Sequence, residues 1–389
     1  MRPDMRHGLR FPPGVPQRLR GRLIEVARRE WRDPDAFGFD ELEEFLRSAG
    51  LCWPERPGAG GPVGAGLLLS GDIRTQRGAS RPQPSPADGV PAACAVVYAA
   101  GSCQEAPTVH RARIGGWRQS WTAAEHAGAI SEIRSAIAAG DVYQVNIVGH
   151  QSAPFTGAPE VVGPALARLA NTPYAGGMSG AGWSVFAASP ECLLDVHDGV
   201  AVSRPIKGTM ATSTDPALDD QARVALLRSG KDRAEHIMIV DLARNDLGRV
   251  ATVGGVAVPE LYAVRRLAGV WHAESTVSAR ITAGVGLATL LSAVFPGGSV
   301  TGAPKLAALD LIDRFEPVGR GPSMGALGWI GNDGDISLGL TIRTVVVTGG
   351  RVHLWTGGGI TWGSDPRAEV AEAAVKAAPL LAALAAMGD

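Results

Sequence analysis

The sequence predicts an α+β fold in which layered antiparallel β-sheets are flanked by helices. Three observations carry this. Strand-like runs come in groups instead of alternating one for one with helical runs. The helical runs between the groups carry their own start and stop signals. Hydrophobic residues make up 45% of the chain and charged residues 19%, enough for a sizeable buried core in a chain of 389 residues.

In chain order, residues 65–69 and 93–99 read as short strands. Residues 76–91 between them are rich in Pro, Gly and Ser and read as a mobile loop. The texture changes at Trp121: residues 122–139 are helix formers that stop at Gly140, a C′ glycine. Residues 142–148 alternate like a strand, and further strands are expected at 183–188, 192–196 and 200–205. Helices are expected at 216–229, 231–246, 287–295 and 303–315. Strands with hairpin connections follow at 325–330, 336–347 and 352–356. The chain closes with a helix from about Pro366, amphipathic through 368–387.

Several function classes are excluded early. The formal net charge is −1, which offers no field for nucleic acid. Cys52, Cys94, Cys103 and Cys192 are scattered without CxxC spacing, so neither a zinc site nor a disulfide framework is expected. Reduced thiols fit a cytoplasmic protein. Residues 1–22 are arginine-rich but lack an apolar core, so they read as a frayed start and not as a secretory signal. No run approaches the roughly 20 apolar residues that span a membrane.

The residues with chemistry to offer cluster in the last two thirds. Lys207 ends a strand-like run, Ser203-Arg204-Pro205-Ile206-Lys207-Gly208-Thr209. A lysine among other cationic charges is driven toward its neutral amine, which is a nucleophile. Asp232 with Glu235, and Glu369 with Glu372, are two i, i+3 acidic pairs on expected helices. Each pair puts two carboxylates on one face. Alone, either is an ordinary solvated face, and Lys376 is an ordinary i, i+4 partner for Glu372. Two such faces meeting would make a hard-oxygen site suited to magnesium. The run from Phe295 to Lys305 turns through glycines into a helix, where backbone N–H groups can hold an anion. It lacks the order of a P-loop. Gly357, Gly358 and Gly359 follow a strand and permit close backbone approach to a carboxylate. Arg343 is a charge inside an apolar strand-like run, where a carboxylate is its natural partner. His272 alone is ambiguous between a packed histidine and a catalytic one.

These runs, taken in order, resemble the chorismate-utilising enzymes. The matching stretches are Gly140 to Asn146, Ser189-Pro190-Glu191, Arg204 to Thr209, Glu235 to Asp246, Phe295 to Lys305, Ile342-Arg343-Thr344 and Gly357 to Lys376. The resemblance implies the fold of anthranilate synthase component I, with residues 121–389 as the chorismate-binding catalytic region. Residues 1–120 match weakly and read as part of the same domain. The water-adding members carry a lysine base where this chain has Gln144, so water addition is disfavoured. The Pro-Ile-Lys-Gly-Thr form around Lys207 resembles the aminodeoxychorismate synthase branch, which aminates chorismate at C4; anthranilate synthases usually have alanine there.

The resemblance further implies roles. Glu235 and Glu372, with Asp232 and Glu369 nearby, would hold Mg2+. Arg343, the 357–359 backbone, Lys376 and Thr301 would bind substrate. Glu191 would be the general acid and Lys207 the nucleophile, with Thr209 and His272 lining the ring. Ammonia would come from a separate glutamine amidotransferase subunit, since this chain has no cysteine-centred amidotransferase motif. Two departures stand out: Ser323 replaces an aromatic residue, and Trp362 follows the glycines in place of a small one. Anthranilate synthase component I is the nearest enzyme alternative, and a degenerate chorismate-binding regulatory subunit is the non-enzyme one.

Overall fold

The computed structural model describes residues 11–19, 22–54, 61–75, 80–101, 111–169, 171–267 and 270–387. Cys103 and most of residues 1–22 therefore lie outside the described part. The helices are α1 (Phe39–Ser48), α2 (Ala123–Ala139), α3 (Val162–Leu166), α4 (Pro216–Arg228), α5 (Gly230–Gly248), α6 (Leu287–Val294), α7 (Lys305–Phe315) and α8 (Pro366–Ala385). No helix among the described residues is long and apolar enough to cross a membrane.

Their ends follow from local chemistry. Thr122 caps α2 through a capping box with Glu125, and Gly140 closes it at φ 86° in the left-handed region. Ser229 caps α5 by accepting from the Asp232 N–H, and Asp365 caps α8 with Pro366 in its first turn.

Two antiparallel sheets make up the rest, as the grouping of strands implied. The first runs Leu23–Trp31, Ala93–Ala100, Gly64–Leu69, Ala326–Gly331, Ile336–Leu340, Cys192–His197, Val200–Arg204, Val270–Ile281 and Ile206–Ala211. Ala251–Leu267 pairs with Val270–Ile281 as a long hairpin. The second runs Gly302–Ala303, Gln144–Thr156, Arg351–Ile360, Thr344–Thr348, Trp183–Ser189 and Tyr174–Gly180. Leu67, Leu194 and Leu338 of the first sheet share one core with Val148, Val185 and Val346 of the second. Leu42 and Leu46 of α1 and Leu290 and Leu291 of α6 close the same core. Each such fully buried leucine or valine contributes about 1.5–3 kcal/mol relative to exposure.

One expected element is corrected. Residues 336–347 are not a single strand. The run divides into Ile336–Leu340 in the first sheet and Thr344–Thr348 in the second. The chain turns between sheets at Arg343, whose φ is 49°. The segment Pro190-Glu191 makes the reverse passage, from Trp183–Ser189 to Cys192–His197. The two passages are joined: Leu340 N–H donates to the Glu191 carbonyl and Ala188 N–H to the Arg343 carbonyl, both at 3.1 Å.

Of the expected loop at 76–91, residues 76–79 lie outside the described part. The remainder is a loop laid against α7: Ser80 Oγ donates to Asp313 Oδ2 at 2.6 Å and the Gln83 amide to the Asp313 carbonyl at 3.3 Å.

Candidate active site

Where the two sheets exchange strands, a cavity of about 170 Å³ opens under α5 and α8. It collects Glu191, Lys207, Thr209, Asp232, Glu235, His272, Arg343, Gly357, Gly358, Gly359, Glu369, Glu372 and Lys376. Thirteen of the fourteen sequence-nominated residues therefore converge on one space. Thr301 does not line it. Its hydroxyl turns back to the Gly297 carbonyl at 2.9 Å, and its own carbonyl accepts from Asn146 N–H. It closes the glycine turn behind the wall, while Ser299 and Val300 of the same turn face the cavity.

Lys207 and Thr209 are brought to the cavity by a bulge. They pair with the adjacent residues Ala273 and His272, so Gly208 is one residue extra in its strand. Gly208 takes φ 76°, which glycine adopts without strain. Lys207 is half-buried, and its ammonium donates to the Ser299 carbonyl at 3.1 Å. Burial lowers its pKa first; Glu191 opposes this and Lys376 reinforces it. Glu191 is 4% exposed. Burial raises its carboxyl to about 7, with the Ser299 hydroxyl and Lys207 pulling the other way. An acid still protonated near neutrality thus sits in the same cavity as a lysine biased toward its free amine.

Arg343 and His272 form a second unit. Arg343 Nη2 donates to His272 Nε2 at 2.8 Å. Guanidinium cannot accept, so the imidazole proton lies on Nδ1, which faces the Gly208 carbonyl and the Thr209 hydroxyl, each at 3.1 Å. Burial, and then Arg343, hold the His272 pKa near 3. His272 is therefore a neutral acceptor that aims Arg343. Burial lowers the Arg343 pKa to about 10, leaving it charged at neutral pH.

The acidic pairs of α5 and α8 face the cavity from two sides. Among the described residues, no three His, Cys, Asp or Glu side chains converge at metal-ligand spacing. Two of the carboxylates have protein partners: Glu372 Oε1 lies 2.8 Å from Lys376 Nζ, and Glu235 Oε1 accepts from the Thr361 hydroxyl. Lys376 also donates to the Gly357 carbonyl at 3.0 Å. Gly359 lets the strand pass close to the reactive groups. A Cβ there would sit 2.4 Å from Gln144 Nε2 and 2.7 Å from Lys207 Nζ. Gln144 is 1% exposed, and neither atom of its side-chain amide has a hydrogen-bond partner among the described residues.

Some lining residues were not singled out from sequence. Ser299 serves both Glu191 and Lys207, and a serine in a glycine turn was its available signal. Asn146, Val148 and Val300 are fixed from below by a buried pair. Arg320 donates to the Val300 and Asn146 carbonyls at 2.6 and 2.8 Å and to Glu316 Oε2 at 2.9 Å. Glu316 Oε1 accepts from Val148 N–H at 2.9 Å. Ser323 is 1% exposed and Trp362 63% exposed. Neither lines the cavity; Met324, at φ 56°, does.

Residues 73–382 match the family described as chorismate binding enzyme. The aminodeoxychorismate synthase component 1 of Salmonella typhimurium is 38% identical over 270 residues, covering 69% of this chain and 60% of that protein. The anthranilate synthase component 1 of Streptomyces coelicolor is 38% identical over 270 residues, covering 69% and 53%. The chain thus spans between half and two thirds of the length of these relatives. Among solved structures, anthranilate synthase component I from Streptococcus pneumoniae superposes with a TM-score of 0.77 at 22% identity, covering 92% of each chain. That likeness establishes the fold.

Proposed function

The chain belongs to the chorismate binding enzyme family, and we propose that it aminates chorismate at C4 with ammonia to give 4-amino-4-deoxychorismate. The observation that carries this reading is the presence in one cavity of Lys207, biased toward its amine, and Glu191, an acid with a pKa of about 7. The C4 hydroxyl is a poor leaving group until protonated. Glu191 gives it a proton and it departs as water. The Lys207 nitrogen bonds to C2 as the C4–O bond breaks and both conjugated ring double bonds shift by one position toward C4. Ammonia then bonds to C4, the C2–nitrogen bond breaks, and Lys207 returns to the amine. The Glu191 carboxylate takes back one proton from the new ammonium. Two allylic displacements put nitrogen at C4, where a single one would put it at C2.

Arg343, aimed by His272, and the Gly357–Gly359 backbone would bind the substrate carboxylates. The unpaired Gln144 amide offers an acceptor beside Lys207 for the incoming ammonia, and it is not a base for water. Asp232, Glu235, Glu369 and Glu372 are a hard-oxygen donor set of the kind magnesium takes, with Glu235 and Glu372 the pair to hold it. Bound Mg2+ would neutralise a substrate carboxylate and fix the ring. Ammonia would be delivered by a separate glutamine amidotransferase.

The test is incubation of the purified chain with chorismate, Mg2+ and ammonium, with products separated by chromatography and identified by mass. Aminodeoxychorismate, converted by an added lyase to 4-aminobenzoate, supports the reading. Anthranilate would instead assign C2 chemistry, and unchanged chorismate at saturating ammonium would overturn catalysis by this chain.

A further inference from the structure

A second cavity, of about 320 Å³, lies on the other flank of α8. Its walls come from the start of α2, the strand Gln144–Thr156 and α8. Its chemistry is unlike that of the active site. Among the described residues that line it there is no aspartate, glutamate, lysine or arginine. The ionisable groups facing it are His126 and His150, which burial keeps neutral, with pKa values near 4 and 3.

The polar groups it presents are of two kinds. His150 is already committed: one ring nitrogen meets the Ser120 hydroxyl at 2.6 Å and the other His353 at 3.1 Å. His126 is not. It is 6% exposed, stacks on Trp121 at 4.3 Å between ring centroids and 19° between planes, and no hydrogen bond holds its ring among the described residues. Its ring nitrogens are not sealed from solvent, so the donor and the acceptor are free to pair with water or with an occupant of the cavity. Ala373, Ala374 and Ala377 of α8 leave the volume beside it unfilled, and Gln119, Thr122 and Ala123 at the rim are exposed, giving a way in. An apolar cavity of about 150 Å³ suffices to bind benzene.

We propose that this cavity is a second ligand site, for an uncharged aromatic molecule of one or two rings that lies beside the Trp121–His126 stack and hydrogen-bonds to His126. Charged molecules are excluded, because nothing in the cavity offsets the loss of their hydration. The substrate dianion of the first cavity is therefore not its ligand. The two cavities adjoin. Thr356 lines both, and Ala373 and Ala374 follow directly on Glu372 in α8. An occupant would lie against the helix that carries Glu369, Glu372 and Lys376 without competing for their space.

The proposal is tested by calorimetric titration of the full chain with indole, with benzoate as the charged control. Saturable indole binding is expected, with no benzoate binding. Ala374→Leu, which fills the cavity from an exposed helix position, should weaken indole at least tenfold. His126→Phe keeps the stack but removes both nitrogens, and should weaken it about fivefold, the value of a lost hydrogen bond of about 1 kcal/mol. Absence of indole binding up to millimolar concentration, equal affinity in wild type and both variants, or equal binding of benzoate would each overturn the proposal. Binding is read without turnover, so the result stands apart from the proposed reaction.

Discussion

Glu191 and Lys207 are each the largest charged influence on the other, and burial moves them in opposite directions. The carboxyl rises to about 7 while the ammonium falls from its usual range. The two shifts have one physical origin, since the same exclusion of water penalises either charge. The protonated acid and the free amine that the proposed reaction needs are therefore favoured by a single structural cause.

That relation predicts the pH profile. The acid form of Glu191 is lost as pH rises through about 7. The kcat/KM for chorismate, which reports groups of the free protein, should decline above that pH. Glu191→Gln should lower kcat by about 10²–10⁴-fold, the usual range for a positioned acid, and its residual rate should not show the alkaline decline. An unchanged alkaline limb in the variant would assign that limb to another group.

His272 should act on binding more than on turnover. His272→Phe removes the acceptor that aims the Arg343 guanidinium. The expected result is a KM for chorismate raised about tenfold, equivalent to about 1.4 kcal/mol, with kcat changed less. The shape of the pH profile should persist, because His272 is neutral throughout the working range. A selective fall in kcat would make His272 a participant in the chemistry.

Two glycines of one strand should fail differently. A Cβ at Gly357 would lie 1.9 Å from the Ile147 carbonyl oxygen, which is backbone and cannot yield. Gly357→Ala should therefore lower the melting temperature by several degrees. At Gly359 the obstacles are the ends of the Gln144 and Lys207 side chains. Gly359→Ala should fold with near-normal stability and lose most of its rate in the proposed reaction. Paired thermal melts and initial rates separate the two outcomes.

Arg320→Ala should be the most destabilising of these substitutions. It strands Glu316 as a buried carboxylate and releases the Asn146 and Val300 carbonyls. Breaking a buried pair by removing one partner costs about 3–5 kcal/mol. Urea unfolding should show the midpoint shift without a large change in slope. A shift below 1 kcal/mol would mean that the clamp is replaceable.

Gly140 after α2 and Pro366 at α8 marked helix ends in the sequence, whereas Ser229, which read as the end of the helix at 216–229, and Asp365 emerge as caps in the structure. The strand that carries Lys207 was legible as a local motif. The division at Arg343 was not, since a non-glycine residue in the left-handed region leaves no trace in composition, and the apolar run reads straight through it. The hairpin Ala251–Leu267 and Val270–Ile281 was also missed. Its first strand is largely solvated, interrupted by Gly254, Gly255 and Pro259, and irregular in register. Helix α1 had a usable signal in Phe39, Leu42 and Leu46, all buried on one face, masked by the Gly- and Pro-rich sequence around it. Thr301 was nominated from a turn whose neighbours do the facing; which residue of a tight turn points inward depends on the strand it docks against.

Because Glu191 and Arg343 ride on adjoining passages between the sheets, the distance between acid and guanidinium is a gauge of how the two sheets are assembled. One residue inserted between Leu340 and Thr344 would shift a strand of one sheet relative to the other, and a shift of one residue reverses every side chain on a strand. An insertion at the Gly349–Gly350 turn would lengthen a hairpin end and leave that gauge alone. Length variation in this chain is thereby sorted by topology: the outer turns are free to drift, while the two inner passages hold architecture and reactivity to a common tolerance.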